Sequence, residues 1–350
     1  NFSQVTNPPI DSLRENEVMS LKTRFGNTGN ILDFENLTKD NIYVLESPIL
    51  SNSQFEKFSD FFKKSIKILD CTFEIKKSLR KRLDEICLEA EISVREGKKH
   101  LILSDKLVDE NKASIPMALA IGAINSRLVE LGIRGFTSIN VQTGEILDTH
   151  SFAVLLGVGA TTINSYIAFD SIYQRYEKGL FGKITFEECI KKYIKSVDNG
   201  LLKIMSKMGI SVLSAYRGGC NFEAVGLSRS IIAKYFPGMI SRISGIGIIG
   251  IEKKIKELHE KAFQKNVSIL PIGGIYKYRK NGETHQYQGN IIHMLQSAVG
   301  NNSYATYKKY SQSIHNLNIV NLRDLLDFKK LRKPIDIKEV ESVETIRKRF

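Results

Sequence analysis

The stretch "SAYRGGCNFEAVGL" concentrates residue types that could do chemistry, namely Arg217, the paired glycines Gly218 and Gly219, and Cys220. If a buried strand precedes the glycines and a helix follows them, their backbone N–H groups could hold a phosphate that Arg217 also binds. A helix N-terminus lowers the pKa of a nearby thiol, so Cys220 could be reactive. The alternative is a tight turn onto a helix capped by Asn221. The lysine of a P-loop is missing, and both interpretations stay open.

A GxGxxG spacing occurs further on, at Gly245, Gly247 and Gly250. A dinucleotide fingerprint requires a strand before the first glycine and an acidic residue about 20 positions beyond the motif. The preceding "GMISR" is a poor strand sequence, and no acidic residue follows on a clear strand of its own. We therefore interpret these glycines as structural.

The titratable residues give weaker signals. Asp105 follows the apolar run "LILS", at a strand end where α/β barrels place chemistry, but it could equally bond the backbone of the next loop. His100 begins the same run, and His150 lies beside Asp148. None of the six histidines has a helical partner at metal-ligand spacing, so we interpret them as structural or surface residues.

The cysteines predict no metal site. No pair has the short spacing of a zinc site, an iron–sulfur ligand set or a redox dithiol. In a chain without a secretory signal they are expected to be reduced and mostly buried. The four are Cys71, Cys87, Cys189 and Cys220.

The net charge of +13 could indicate a nucleic-acid partner. Basic residues are not interleaved with aromatic ones, however, so a lysine-rich solvated surface is the better interpretation and no nucleic acid is expected. No apolar run approaches the ~20 residues that span a bilayer, and the first residues lack the basic and apolar regions of a signal peptide. We expect a soluble cytoplasmic protein with no membrane partner.

Short apolar runs alternate with helix-period segments along most of the chain. The helix-period segment "SLRKRLDEICLEA" places Leu79, Leu83, Ile86 and Ala90 on one face, and a later helix begins with a capping box from Thr185 to Glu188. The segment "NFEAVGL" is predicted to be a helix as well. The predicted strands are "IYVLESP", "IKILDCTF", "HLILSD", "FTSINVQ", "ATTINSY" and "ISVLSAY".

Such repeated strand–helix units indicate an α/β fold with a parallel sheet, either an eight-fold barrel or an open doubly wound sheet. We divide the chain into an N-terminal linker helix within residues 1–30, a central α/β domain over 31–265, and an irregular and helical connecting segment over 266–350. In the last of these, "GNIIHMLQSAVG" and "SYATYKKYSQSIHN" are predicted amphipathic helices.

Several long strings together resemble one family, the central domain of the large (alpha) subunit of glutamate synthase. They occur in the family's order, and the resemblance extends over nearly the whole chain. They are "NPPIDSLRENEVMSLKTRFGNTGN", "LESPILSN", "LILSD", "THSFAVLLGVGA", "MSKMGISVLSAYRGGCNFEAVGL" and "YFPGMISRISGIG".

The resemblance implies a degenerate (β/α) TIM-barrel-like fold with mostly parallel strands. It implies a non-catalytic segment of an enzyme that forms two glutamates from glutamine, 2-oxoglutarate and two electrons. The partners would be the amidotransferase and FMN-binding domains of the same polypeptide. The parent enzyme would carry FMN and a 3Fe-4S cluster, and no cofactor is expected in this chain. The chain begins with Asn1, not with the amidotransferase cysteine, so we expect no catalytic residue here.

The resemblance also implies two site residues. In the family, a small hydroxyl residue and an asparagine after "LESPIL" help form the entrance of an internal ammonia tunnel, and these positions are Ser51 and Asn52. An N-cap of the helix "SQFEKF" would explain both residues equally well. The alternative functions are a free-standing flavin-dependent barrel oxidoreductase and a basic nucleic-acid-binding protein.

Overall fold

The structure is a computed structural model that describes residues 15, 17–26, 32, 42–264, 273–274 and 277–350. The chain forms two compact units, Asn1–Gln264 and Lys265–Phe350. Most of the N-terminal linker helix that the sequence predicts lies outside the described residues. The proposed division into three segments stays a prediction.

The first unit alternates strands and helices. Its described strands are β1 (Thr23–Phe25), β2 (Tyr43–Leu45), β3 (Ile66–Asp70), β4 (Thr72–Glu74), β5 (His100–Ser104), β6 (Lys112–Ser114), β7 (Ser138–Gln142), β8 (Thr162–Asn164), β9 (Glu223–Leu227) and β10 (Ile240–Ile246). Its described helices are α1 (Asn52–Phe61), α2 (Leu79–Arg95), α3 (Met117–Glu130), α4 (Thr149–Gly157), α5 (Tyr166–Glu177), α6 (Phe186–Met208), α7 (Leu213–Tyr216), α8 (Arg229–Tyr235) and α9 (Ile248–Ala262).

Four of these strands form the central sheet, in the order β3–β5–β7–β8, and every neighbouring pair is parallel. Segment 48–50 extends the sheet beyond β8, because Ile49 bridges Ile163 in parallel and the backbone N–H of Leu50 donates to the carbonyl of Ile163 at 2.9 Å. The four strands appear across the sheet in the order in which they occur along the chain, as parallel strands do in a (β/α) barrel, while β4 and β6 pair with each other in a separate sheet. The predicted α/β class, with repeated strand–helix units and mostly parallel strands, is confirmed.

The two faces of the sheet differ in chemistry because side chains alternate along a strand. Leu101, Leu103, Ile139 and Val141 point to one face and belong to the main hydrophobic core. The opposite face carries mostly polar residues, and segment 48–50 and α1 lie beside it. On β5, β7 and β8 the polar residues of this face are His100, Ser104, Ser138, Asn140, Gln142, Thr162 and Asn164, and Ile102 is the apolar one. Ile66 and Ile68 of β3 are apolar residues of the same face.

Local sequence signals place the main helices. The predicted apolar face of α2 is fully buried at Leu79, Leu83, Ile86 and Ala90, each 0% exposed. Helix α6 begins with the predicted capping box at Thr185 and ends at Gly209, whose φ of 70° is the left-handed conformation that glycine adopts without strain. These predictions are confirmed. No helix among the described residues is long and apolar enough to cross a membrane.

The second unit contains α10 (Gly289–Gly300), α11 (Tyr304–His315) and the short α12 (Val343–Arg347). Helices α10 and α11 pack against each other, and Ser303 caps α11 with its side chain. The two predicted amphipathic helices are therefore confirmed. The rest of the described part of this unit consists of irregular chain and two short 3-10 turns.

An aromatic cluster fills the space between α1 and the polar face of the sheet. Phe58 is 0% exposed. Its ring centroid lies 5.1 Å from that of Phe25, 5.0 Å from that of Phe62 and 5.6 Å from that of His100. Edge-to-face contacts of this kind add to the free energy gained by burial. This cluster fixes α1, and with it the two residues at its N-terminus.

We expect Phe58→Ala to lower the free energy of unfolding by about 3–5 kcal/mol, because it removes a fully buried ring and leaves a cavity. The matched control is Phe61→Ala on the same helix, where the side chain is 58% exposed, and where we expect a loss below about 1 kcal/mol. Urea unfolding of both variants measures the difference. Equal losses would contradict the role of the cluster.

Candidate functional site at the carboxyl edge of the sheet

Ser51 and Asn52 lie where segment 48–50 leaves the sheet and α1 begins. Ser51 is the N-cap of α1, since its Oγ accepts the backbone N–H of Gln54 at 3.3 Å. The Gln54 side chain in turn accepts the backbone N–H of Ser51 at 3.0 Å, which completes a capping box. The N-cap interpretation is confirmed for Ser51. Asn52 is instead the first helical residue, and the tunnel role of both residues stays a prediction.

The side chain of Asn52 joins a row of polar side chains across the ends of three strands. Asn164 Nδ2 donates to Asn52 Oδ1 at 2.9 Å and to the carbonyl of Leu50 at 2.9 Å. Gln142 Nε2 donates to Asn164 Oδ1 at 3.4 Å, and Ser104 Oγ donates to Gln142 Oε1 at 3.1 Å. We call Ser104, Gln142, Asn164 and Asn52 the amide row. It follows the carboxyl ends of parallel strands, the edge at which α/β folds place their sites.

A second polar group lies deeper on the same face and does not reach Asn52. Asn140 Nδ2 donates to Ser138 Oγ at 2.8 Å and to the carbonyl of Leu101 at 3.3 Å, while Asn140 Oδ1 accepts from Thr162 Oγ1 at 2.7 Å. His100 Nδ1 lies 2.8 Å from Ser138 Oγ. Burial, with a smaller effect of a neighbouring lysine, lowers the pKa of His100 to about 4, so the ring is neutral at pH 7. His100 is the structural histidine that the sequence predicts.

A carboxyl group on α6 holds the segment that precedes Ser51. Ser47 Oγ donates to Asp198 Oδ1 at 2.7 Å, and the backbone N–H of Ile49 donates to Ser47 Oγ at 3.1 Å. Burial raises the pKa of Asp198 to about 6, and the hydrogen bond from Ser47 partly opposes that rise. Segment 47–52 is thus tied to α6 at one end and to the sheet at the other.

Asp105 binds the next loop, as one of the two interpretations of the sequence predicts. Its carboxylate accepts Thr143 Oγ1 at 2.5 Å, the backbone N–H of Gly144 at 3.1 Å and Tyr166 Oη at 3.0 Å. Burial raises the pKa of Asp105, and these three donors oppose the rise. Its contacts join β5, the loop after β7 and α5, which is a structural role.

The glycine-rich turn at 217–220 is not the strand–turn–helix unit that we predict from the sequence. Leu213–Tyr216 is a four-residue helix and Glu223–Leu227 is a strand, so the order is helix, turn, strand. Asn221 does not cap a following helix, since its Nδ2 donates back to the carbonyl of Tyr216 at 3.1 Å. That prediction is wrong. No helix begins after the turn, so the helix N-terminus that we expected to support a phosphate is absent.

Cys220 and Arg217, the other residues of this turn that could do chemistry, also lie in an environment that differs from the predicted one. Cys220 has a φ of 52° and is exposed, with its Sγ 3.5 Å from the carbonyl of Pro237. Burial lowers the pKa of Arg217, and its Nε has no hydrogen-bond partner among the described residues. Because no helix starts at Cys220, the cause that we proposed for a reactive thiol is absent.

The GxGxxG glycines span the junction of a strand and a helix, with Gly250 inside α9, and the sequence did not predict that strand. Gly245 is in β10 and Gly247 precedes α9. A side chain at Gly245 would overlap the backbone of Gly226 in the paired strand β9, so close strand pairing is sufficient to explain this glycine. Among the described residues no further strand follows α9 within the first unit to carry the acidic residue of a dinucleotide fingerprint.

The cysteines are all free, and Cys71 and Cys189 are buried. Burial raises the pKa of the Cys71 thiol, and it raises that of Cys87 to about 11. Within the part of the chain that the structure describes, no three His, Cys, Asp or Glu side chains are grouped closely enough to hold a metal ion.

Fold and site together define a mixed α/β domain of consecutive parallel strand–helix–strand units with a polar carboxyl edge. The sequence model described as "Glutamate synthase central domain" matches residues 1–228. The chain belongs to the glutamate synthase central domain family.

Relatives match the chain over its full length. It is 51% identical to the glutamate synthase [NADPH] large chain of Azospirillum brasilense and 38% identical to that of Bacillus subtilis. It is 36% identical to the chloroplastic ferredoxin-dependent glutamate synthase of spinach, Spinacia oleracea. Each match includes 100% of this chain. The matched region makes up only 23%, 23% and 22% of the length of the three relatives, respectively.

Among solved structures, a point mutant of flavocytochrome b2 with benzoylformate is similar to this chain. The similarity covers 61% of this chain and 49% of the flavocytochrome chain. The sequence identity is 12% and the TM-score is 0.32.

We expect the stability of the wild-type chain to fall as the pH rises from about 4 to about 6, because folded Asp198 holds its proton up to pH 6 whereas the unfolded carboxyl loses it near its ordinary value of 3.8. The loss is up to about 3 kcal/mol. Asp198→Asn keeps an acceptor for Ser47 and does not titrate, so it should lack this loss. Urea unfolding over a pH series measures it.

The matched variant is Ser47→Ala, which removes the donor that favours the ionised form. Its transition should move to higher pH than in the wild type. Superimposable pH profiles of the wild type and Asp198→Asn would contradict a raised pKa at this carboxyl group.

Proposed function

We propose that this chain is the non-catalytic central domain of a glutamate synthase large subunit. It links a glutamine amidotransferase domain and an FMN-binding synthase domain of the same polypeptide, in the cytoplasm. Family membership supports the proposal, and so do relatives named as glutamate synthases that contain the matched region as less than a quarter of their length. The parent enzyme would convert glutamine, 2-oxoglutarate and two electrons into two glutamates.

In this proposal Ser51 and Asn52 line the entrance of the tunnel that carries ammonia between the two active sites. The observation that supports it is the geometry of the pair. Both side chains are short, polar and half-buried, and each is held in one conformation, Ser51 by the capping box and Asn52 by Asn164. Neutral hydrogen-bonding groups at fixed positions suit a small neutral cargo, and they carry no charge that would retain ammonium.

The proposal assigns FMN and the 3Fe-4S cluster to other parts of the polypeptide. The residues present here fit neither group. The turn at 217–220 leads into a strand, so it does not offer the helix N-terminus that binds a flavin phosphate. The free cysteines are not grouped as cluster ligands among the described residues. No step of the reaction is therefore assigned to this chain.

The turn geometry also counts against a free-standing flavin-dependent barrel oxidoreductase, which would use residues 217–220 to bind phosphate. No feature of the described surface favours a nucleic-acid-binding protein. Many of its lysines and arginines are instead paired with carboxylates, as in Lys203 with Glu15 at 2.7 Å and Lys234 with Asp84 at 2.9 Å.

The expressed chain should purify without flavin. An absorption spectrum across the near-ultraviolet and visible flavin bands, taken after reconstitution with excess FMN and gel filtration, measures retained flavin. We expect none, because the turn at 217–220 leads into a strand and offers no helix N-terminus to a flavin phosphate. Stoichiometric flavin would overturn the assignment and favour the oxidoreductase.

The tunnel role predicts uncoupling in a full-length glutamate synthase that carries this segment. Ser51→Val adds two methyl groups in place of the hydroxyl and should obstruct the entrance. Glutamine hydrolysis would then release about tenfold more free ammonia per glutamate formed, since a misplaced group at a transfer site costs one or two orders of magnitude. Free ammonia and glutamate are assayed in the same reaction.

The control is Ser51→Ala. It loses the same cap, at a cost of about 1 kcal/mol in stability, but leaves the entrance open. Coupling should stay near that of the wild type. If Ser51→Val and Ser51→Ala release equal amounts of ammonia, loss of the cap alone explains the effect and the tunnel role of Ser51 fails.

A further inference from the structure

The amide row determines which way the side chain of Asn52 points. Asn164 is 0% exposed, and its Nδ2 lies 2.9 Å from the carbonyl oxygen of Leu50. A backbone carbonyl accepts hydrogen bonds and never donates them, so the NH₂ group of Asn164 must face it. The second N–H of that group is directed at Asn52, 2.9 Å away. The Asn52 atom that receives it must be the oxygen.

The orientation of the Nδ2 group of Asn52 follows from the same reasoning. With Oδ1 turned toward Asn164, the Nδ2 group is turned outward, where it lies 3.5 Å from Asp170 Oδ1. A carboxylate oxygen accepts and suits this orientation. The Nδ2 group of Asn52, and not its carbonyl oxygen, therefore faces α5, where it donates to the Asp170 carboxylate.

Other contacts hold the backbone of this segment, and the Asn52 amide itself is held by Asn164 at 2.9 Å and by the longer contact to Asp170 at 3.5 Å. The Ser47–Asp198 bond and the pairing of Ile49 with Ile163 fix main-chain positions. Among the described residues, Asn164 has the side chain that donates to Asn52 Oδ1. It is also the member of the amide row that bonds both the segment and the sheet.

We propose that Asn164 is a positioning residue that holds the Asn52 side chain in the one orientation with which it lines the ammonia path. This deepens the proposed function and rests on it. The Nδ2 group of Asn52 is in turn bonded to the Asp170 carboxylate, so both ends of the amide have a partner. Without Asn164, the amide loses the bond that fixes its Oδ1, and it can turn so that a different group faces the path.

The chain contains a matched control for Asn164. Asn140 is also 0% exposed, lies on the same face of the sheet, and also donates to the carbonyl of a neighbouring residue, Leu101. Its hydrogen-bond partners among the described residues lie outside segment 47–52. Asn164→Leu and Asn140→Leu both replace a buried amide with an apolar side chain of similar size, so their effects on stability should be comparable.

The experiment compares both variants in the full-length enzyme by two measurements. The first is free ammonia released per glutamate formed. We expect Asn164→Leu to raise it about tenfold, the change in equilibrium that loss of one buried hydrogen bond produces, and Asn140→Leu to stay within about twofold of the wild type. The second is hydrogen exchange of residues 47–55, which should accelerate in Asn164→Leu alone.

Asn164→Asp serves if Asn164→Leu does not fold, because it keeps the size and the acceptor but loses both donors when ionised. Asn52→Leu separates the two proposals. If Asn52→Leu uncouples the enzyme and neither Asn164 variant does, the positioning role is overturned and the tunnel proposal stands. If Asn52→Leu and Ser51→Val both leave coupling intact, the tunnel proposal fails, and the role of Asn164 fails with it. Equal uncoupling in Asn140→Leu would also overturn the positioning role, since it would show a general effect of instability.

Discussion

A side-chain amide that is fully removed from water must find its hydrogen-bond partners inside the protein, and that constraint governs the polar face of this sheet. Asn164 and Asn140 are both 0% exposed, and each is satisfied by a backbone carbonyl and by neighbouring side chains. Satisfying Asn164 requires segment 48–52 to lie against β8. The position of α1, the aromatic cluster beneath it and the conformation of Asn52 follow from that requirement. An apolar residue at the same place would remove the side-chain bonds from β8 to this segment and leave the main-chain pairing, the Ser47–Asp198 bond and the aromatic cluster to hold it.

The sequence predicts the parallel sheet and most helices because their signals are local. The alternating run "SINVQ" of β7 and the apolar face of α2 are visible within one element. The turn at 217–220 shows the limit of such signals. Glycines indicate a turn but not the elements on either side of it, and "EAVGL" is too short for its periodicity to separate helix from strand. Its parallel pairing with β10, a tertiary contact, makes it a strand.

The candidate site was partly predictable for the same reason. The capping box of Ser51 and Gln54 spans a few consecutive residues and could be recognised directly. The partners of Asn52 could not, because Asn164 is 112 residues away in sequence. The sequence did contain one indication of a polar face inside the protein. Ser138, Asn140 and Gln142 alternate with apolar residues on a strand that is otherwise buried, which indicates a polar face inside the protein. A single sequence does not show which loop that face contacts.

The pairing of segment 48–50 with β8 has a consequence for how the protein is made. The bond from Asn164 to Leu50 joins residues 114 positions apart, and contacts of such separation form late because a long loop must close first. During synthesis segment 48–50 leaves the ribosome long before β8 does, so until then its hydrogen-bonding groups are bonded to water. Helix α1 can form early, since its cap is local. The edge of the sheet that carries Asn52 is thus completed only after the three strands before β8 have been made, and a nascent chain stalled before residue 164 lacks it.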